Sequence, residues 1–90
     1  MINLLPSKLF MTDLAYELKK GLNITELKEC VDSLTYEKKP DVKYCDKPLH
    51  GRFEGFRECF IPPGYQLIYR PSYEHVVLMR FKAVEGGRSN

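Results

Sequence analysis

The stretch RFEGFRECFIPPGYQLIYR, Arg52 to Arg70, decides what kind of fold this chain can adopt. Through it the apolar residues follow a period near two, and turn signals cut it into short strands. Arg52 and Phe53 lead into Glu54-Gly55, a hairpin turn, and Phe56 to Ile61 emerges as a strand. Pro62-Pro63-Gly64 then makes a tight turn, the fixed φ of proline preceding a glycine free to take positive φ. Tyr65 to Arg70 is the returning strand.

Downstream, Pro71 to His75 is a connection and Val76 to Ala83 the longest strand. Strict alternation there puts Val77, Met79, Phe81 and Ala83 on one apolar face for helices to cover. Val76, Leu78, Arg80 and Lys82 fall on the other, which turns basic towards its end. The tail, Glu85 to Asn90, is expected to fray.

Upstream, the pattern changes. Thr35 to Pro48 carries Lys38, Lys39, Lys43 and Lys47 among Pro40, Tyr44 and Pro48, and reads as a long surface loop. Before it, Asn23 followed by Glu26 has the form of a capping box, and Ile24, Leu27, Val31 and Leu34 form one helical stripe. From Lys8 to Lys20, Phe10, Leu14 and Leu18 recur every four residues beside Met11 and Ala15. Ser7 stands at the N-cap and Gly21 at the C-terminal end. Ile2 to Leu5 is a short opening strand. The order β-α-α-β-β-β-β predicts a two-layer α+β domain, an N-terminal strand and a two-helix hairpin packed on an antiparallel meander.

Ninety residues suffice for one domain with one core, and 43% hydrophobic residues, with six Tyr and five Phe, supply it. A formal net charge of +2 permits polyanion binding without demanding it. Three cysteines, Cys30, Cys45 and Cys59, are odd in number and lack CxxC pairing, which argues against a disulfide framework or a structural zinc site and for a reducing, cytoplasmic setting. No run approaches the roughly 20 apolar residues of a membrane span, and the opening MINLLPSKLF is too short for a signal-peptide core.

From Lys47 to Arg70 the chain resembles YafQ-type members of the RelE/ParE toxin superfamily. Leu49, Gly51, Phe53, Gly55, Phe56, Arg57, Glu58, Pro63, Leu67, Ile68 and Tyr69 fall in register with that family's spaced pattern. The likeness covers element order along the whole chain and residues in its second half. It implies a RelE-like fold and the toxin of a type II toxin-antitoxin system, an mRNA interferase. Such a toxin enters the ribosome, cuts messenger RNA there without a cofactor or metal, and is silenced by a cognate antitoxin protein. Operator DNA would be met only through the antitoxin complex. ParE-type relatives share the architecture but act on gyrase, so the alternative is a binding module: a gyrase inhibitor, or a non-catalytic relative that binds antitoxin and acts as an operator corepressor.

Cleaving RNA without a metal uses the neighbouring 2′-hydroxyl as nucleophile, so the protein must supply a base, an acid and cations for the crowded phosphate. Here the chain departs from its family. Lys47 stands where a histidine is expected before the Leu-x-Gly motif, Phe60 where the strand histidine belongs, Gly64 where an aspartate often follows the turn, and Val84 where a final histidine would fall. Glu58 and Arg80 keep family positions. The resemblance therefore implies a catalytic set of Arg80 as phosphate stabiliser, Lys47 as cation or proton donor, and Glu58 as base. Arg57 is either an RNA-phosphate contact or an ion pair fixing the hairpin. Lys82 and Arg88 either extend a basic RNA-binding face or are merely solvated. His50 is an exposed loop residue unless the loop carries it into the site, and His75 lies in the last connection. Tyr65, Tyr69 and Tyr44 either stack on bases or pack, and Phe53, Phe56 and Phe60 are core candidates first.

Overall fold

The structure, a computed structural model, describes residues 2–84. Strand β1 (Asn3–Pro6) is followed by helices α1 (Lys8–Lys19) and α2 (Thr25–Thr35), and then by β2 (Lys47–Pro48), β3 (Arg57–Ile61), β4 (Tyr65–Pro71) and β5 (His75–Ala83). They form one sheet in the order β1-β5-β4-β3-β2. The meander β2 to β5 is antiparallel, while β1 joins its far edge in parallel with β5. The expected α+β architecture is the one observed.

α1 starts where the sequence says it should. The Ser7 side chain accepts from the Phe10 amide at 3.0 Å and donates to the Met79 carbonyl at 2.9 Å, so one hydroxyl caps the helix and ties it to β5. The helix ends at Gly21, whose φ of +97° lies in the region that glycine enters without strain. Its buried face differs from the predicted one. Phe10 is buried and Leu14 half-buried, but Leu18 and Met11 are about half exposed and Ala15 is exposed. Asp13 and Glu17 turn inward in their place. β1 stops at Pro6, so beyond it the β5 edge needs another acceptor, and the Asp13 carboxylate takes the Phe81 amide at 3.0 Å.

α2 buries Leu27, Cys30 and Leu34 as an apolar stripe, with Val31 half-buried. The expected capping box does not form. Ile24 is the N-cap, Asn23 accepts from the Thr25 amide one step early, and Glu26 instead meets the Tyr44 hydroxyl at 2.8 Å and Lys43 Nζ at 3.1 Å. Tyr44 explains why. A single 3-10 turn, Val42–Tyr44, capped by Asp41, carries that ring into full burial, and Pro40 is buried with it. Thr35 to Pro48 is therefore a partly buried connection rather than a surface loop. The segment through Arg52 and Phe53 is a 3-10 turn, Gly51–Phe53, begun at a Gly51 φ of +70°, and the extra strand of the meander is Lys47–Pro48 instead. At Pro62-Pro63-Gly64 the turn is present, but the Pro62–Pro63 bond is cis and Gly64 stays out of the positive-φ region.

The core lies between the helices and one face of the sheet. Cys59, Ile61, Leu67 and Tyr69 alternate into it from β3 and β4. In β5 the residues facing the helices are Val76, Leu78 and then Phe81, not the predicted Val77, Met79, Phe81 and Ala83. The register shows the cause: Tyr69 pairs with Leu78 but Ile68 pairs with Arg80, so Met79 is the extra residue of a β-bulge that shifts the alternation by one. Phe81 then lands against Phe10, edge-on at 6.3 Å, and Tyr65, stacked at 5.0 Å.

Candidate functional site

Residues paired directly across neighbouring strands share a face of the sheet. Lys47 pairs with Glu58, Glu58 with Ile68, and Ile68 with Arg80, so all four form one row across β2, β3, β4 and β5 on the face away from the helices. From Lys47 to Arg80 the row crosses three strand gaps, roughly 14 Å between Cα atoms. Lysine and arginine side chains are long enough to reach inward from the two ends of such a row, but the charged groups are placed by their own partners.

Within the row, Lys47 Nζ lies 3.3 Å from Glu58 Oε2, the lysine well exposed and the glutamate only 17% exposed. The other carboxylate oxygen of Glu58 accepts from Gln66 Nε2. Glu58 is thus held through both carboxylate oxygens, one by an amide and the other by an ammonium. Arg80 is turned differently. Its Nε and Nη2 donate to Asp13 at 2.8 and 3.1 Å, over the edge of β5. The Arg80 hydrogen bonds hold the Asp13 carboxyl below its ordinary value in spite of partial burial, and the Phe81 amide and the charge of Lys82 add to this. The guanidinium thus already holds an anion, and a substrate phosphate would have to compete with Asp13 for it.

The other residues singled out from the sequence are scattered. Lys82 is exposed and pairs with Gln66, next to the row on the same face. His50 is exposed, at the start of the Gly51–Phe53 turn. Tyr65 points to the helix side, its ring on Phe81. Arg57 also faces that side, donating to the buried Asp46 through Nε at 3.2 Å and Nη2 at 2.8 Å, which is the ion-pair alternative read from the sequence. Arg88 lies outside the described residues. Sequence reasoning missed Gln66, Asp13 and Asp46. Gln66 was within reach, since the alternation of Tyr65, Leu67 and Tyr69 sets it on the opposite face with Glu58. No local pattern marks Asp13 or Asp46, whose partners are 67 and 11 positions away. Among the described residues no group of three or more His, Cys, Asp or Glu side chains is gathered to hold a metal ion, and no helix is long and apolar enough to cross a membrane.

Residues 2–84 match the family described as bacterial toxin of type II toxin-antitoxin system, YafQ. Among solved structures, a metal-bound toxin from Helicobacter pylori is 32% identical with a TM-score of 0.84, the alignment covering 92% of this chain and 94% of that one. A copper-bound mutant toxin from the same organism is 29% identical with a TM-score of 0.89 over the same shares of the chains. YafQ in the E. coli DinJ-YafQ toxin-antitoxin complex shares the fold, at 23% identity and a TM-score of 0.82, with 91% of each chain covered. No curated protein sequence matches.

Proposed function

This chain belongs to the YafQ family of bacterial type II toxin-antitoxin toxins, and on that premise we propose that it is a ribosome-dependent endoribonuclease that cuts messenger RNA. The observation that supports this reading is the Lys47–Glu58–Ile68–Arg80 row. Glu58, oriented by Gln66 and Lys47, takes the proton of a 2′-hydroxyl as that oxygen attacks the adjacent phosphorus. The P–O5′ bond breaks, leaving a cyclic phosphate and a 5′-hydroxyl whose proton comes from Lys47. Arg80 exchanges Asp13 for the phosphate and neutralises the charge that builds on its equatorial oxygens. Lys82, exposed beside the row, holds the flanking backbone.

A cognate antitoxin is the proposed protein partner, as DinJ is for the E. coli toxin of similar fold. The outward face of α1 suits such a partner. Met11, Ala15 and Tyr16 lie exposed there between Lys8 and Lys19, a shallow apolar groove with basic ends that an acidic amphipathic segment would cover. Two copies of this chain meeting through the same face in two-fold symmetry would set lysine against lysine.

The test is to express the chain and map breaks in translated messages. Parent protein is expected to cut within codons only when ribosomes are present. Lys47→Ala, Arg80→Ala and Glu58→Gln are each expected to lower cleavage by about a hundredfold. Undiminished cleavage in Lys47→Ala and Arg80→Ala would remove the site assignment. A parent that cuts nothing, yet binds its antitoxin or induces a DNA-damage response, would leave the corepressor or the gyrase reading in place of the nuclease.

A further inference from the structure

β2 is only two residues long, and its second residue, Pro48, has no amide hydrogen to give to a ladder. Yet Lys47 on this strand meets Glu58 across β3 at 3.3 Å. Beyond β2, the Leu49 amide donates to the Phe56 carbonyl at 2.9 Å, so backbone pairing of this segment is slight and side-chain contacts add to it. The residue before β2, Asp46, has a side chain 7% exposed and accepts from Arg57 Nε and Nη2, from the Tyr69 hydroxyl, and from Cys59 Sγ at 3.6 Å. Those donors come from β3 and β4 and face the helix side. Each neighbours the open-face row: Asp46 precedes Lys47, Arg57 precedes Glu58, and Tyr69 follows Ile68. A hydrogen-bonded cluster thus lies on the helix side of the strands whose other face carries the exposed row: Asp46, one step before Lys47, reaches diagonally past the Lys47–Glu58 pair to Arg57, which pairs with Pro48 and Tyr69.

We infer that Asp46 is the positioning residue of the Lys47–Glu58 pair, its buried clamp on Arg57 and Tyr69 fixing β2 against β3 so that ammonium and carboxylate meet on the opposite face. Any catalytic meaning of this rests on the nuclease reading above, but the clamp and the pair are tested without RNA. Burial by itself would push the Asp46 carboxyl up, and the hydrogen bonds from Arg57 and Tyr69, with the guanidinium charge, outweigh it and keep the group ionised. A charged, bidentate anchor is directional, which a hydrophobic contact is not.

A zero-length carbodiimide reagent joins an ammonium to a carboxylate only when the two are in contact, and peptide mapping reads each linked pair. Parent protein is expected to give the Lys47–Glu58 link together with the surface Lys28–Asp32 link, whose atoms lie 3.0 Å apart on α2 and serve as internal standard. In Asp46→Asn, with folding verified by circular dichroism, the Lys47–Glu58 link should fall by about fivefold relative to the standard. In Tyr69→Phe, which removes one donor and keeps the ring, it should fall by about twofold. An unchanged link in folded Asp46→Asn overturns the inference. If that variant does not fold, Tyr69→Phe decides, a fall supporting the clamp and an undiminished link refuting it. Message cleavage is scored separately: a lost link with full cleavage refutes the nuclease site and leaves the clamp standing.

Discussion

Asp13 and Asp46 do similar work, one acting on β5 and the other on β3 and β4, each holding a guanidinium and at least one further donor with a single carboxylate. The consequence is a pH dependence with a definite sign. Both carboxyls are held below their ordinary value of 3.8, Asp13 chiefly by Arg80, and Asp46 by Arg57 and Tyr69 against the opposing effect of burial. A carboxylate with a depressed folded-state pKa stabilises the fold above its unfolded value, and that contribution is lost as the pH falls through the folded one. The melting temperature should therefore drop as the pH is lowered from about 5 to about 3. Asp46→Asn should cost on the order of 1–3 kcal/mol near neutrality and give a shallower acid slope. Some slope must remain, because Tyr44 and Lys43 also hold Glu26 below its ordinary range. Scanning calorimetry across that interval checks it, and a variant profile parallel to the parent's would exclude Asp46 as a source.

Helix α1 is placed by its contacts with β5 rather than by its own amphipathic pattern. Three groups engage that strand, two at the helix N-cap and one at the helix middle: the Ser7 amide on Leu78, the Ser7 hydroxyl on Met79, and the Asp13 carboxylate on Arg80 and Phe81. Together they rotate the helix so that carboxylates face the sheet edge, and Met11, Tyr16 and Leu18 face outward. Ser7→Ala removes both the N-cap acceptor and a donor to the strand, so the expected loss is about 2 kcal/mol, at the upper end for a cap. Equilibrium urea denaturation would measure it. A loss no larger than a few tenths would mean that the bond to Met79 contributes nothing.

At the scale of the whole molecule, burial sorts the three thiols. Cys30 and Cys59 sit in the core between α2 and β3, while Cys45 is exposed. The neighbouring Cys30 thiol, burial and the Asp46 carboxylate all push the Cys59 thiol upward, so it carries almost no thiolate. A disulfide reagent should label one thiol of the three quickly and the others only when the core opens, and rapid labelling of all three would contradict this packing. The same contrast between local and distant contacts separates what could be read in advance from what could not. Element type and order followed from periodicity, from Ser7 and Gly21 around α1, and from the Gly and Pro turns of the second half, because these signals act within a few residues of the chain. Lys47, Glu58 and Arg80 were nameable from resemblance to a family. That the three would fall in one row across the sheet, that Arg80 would be held by Asp13, and that Asp46 would be buried under four donors depended on register. Register was set by the Met79 bulge and by packing between residues far apart in sequence. A one-residue shift reverses which side chains face water, and no local pattern around Met79 announces it, so only the assembled sheet decides which groups meet.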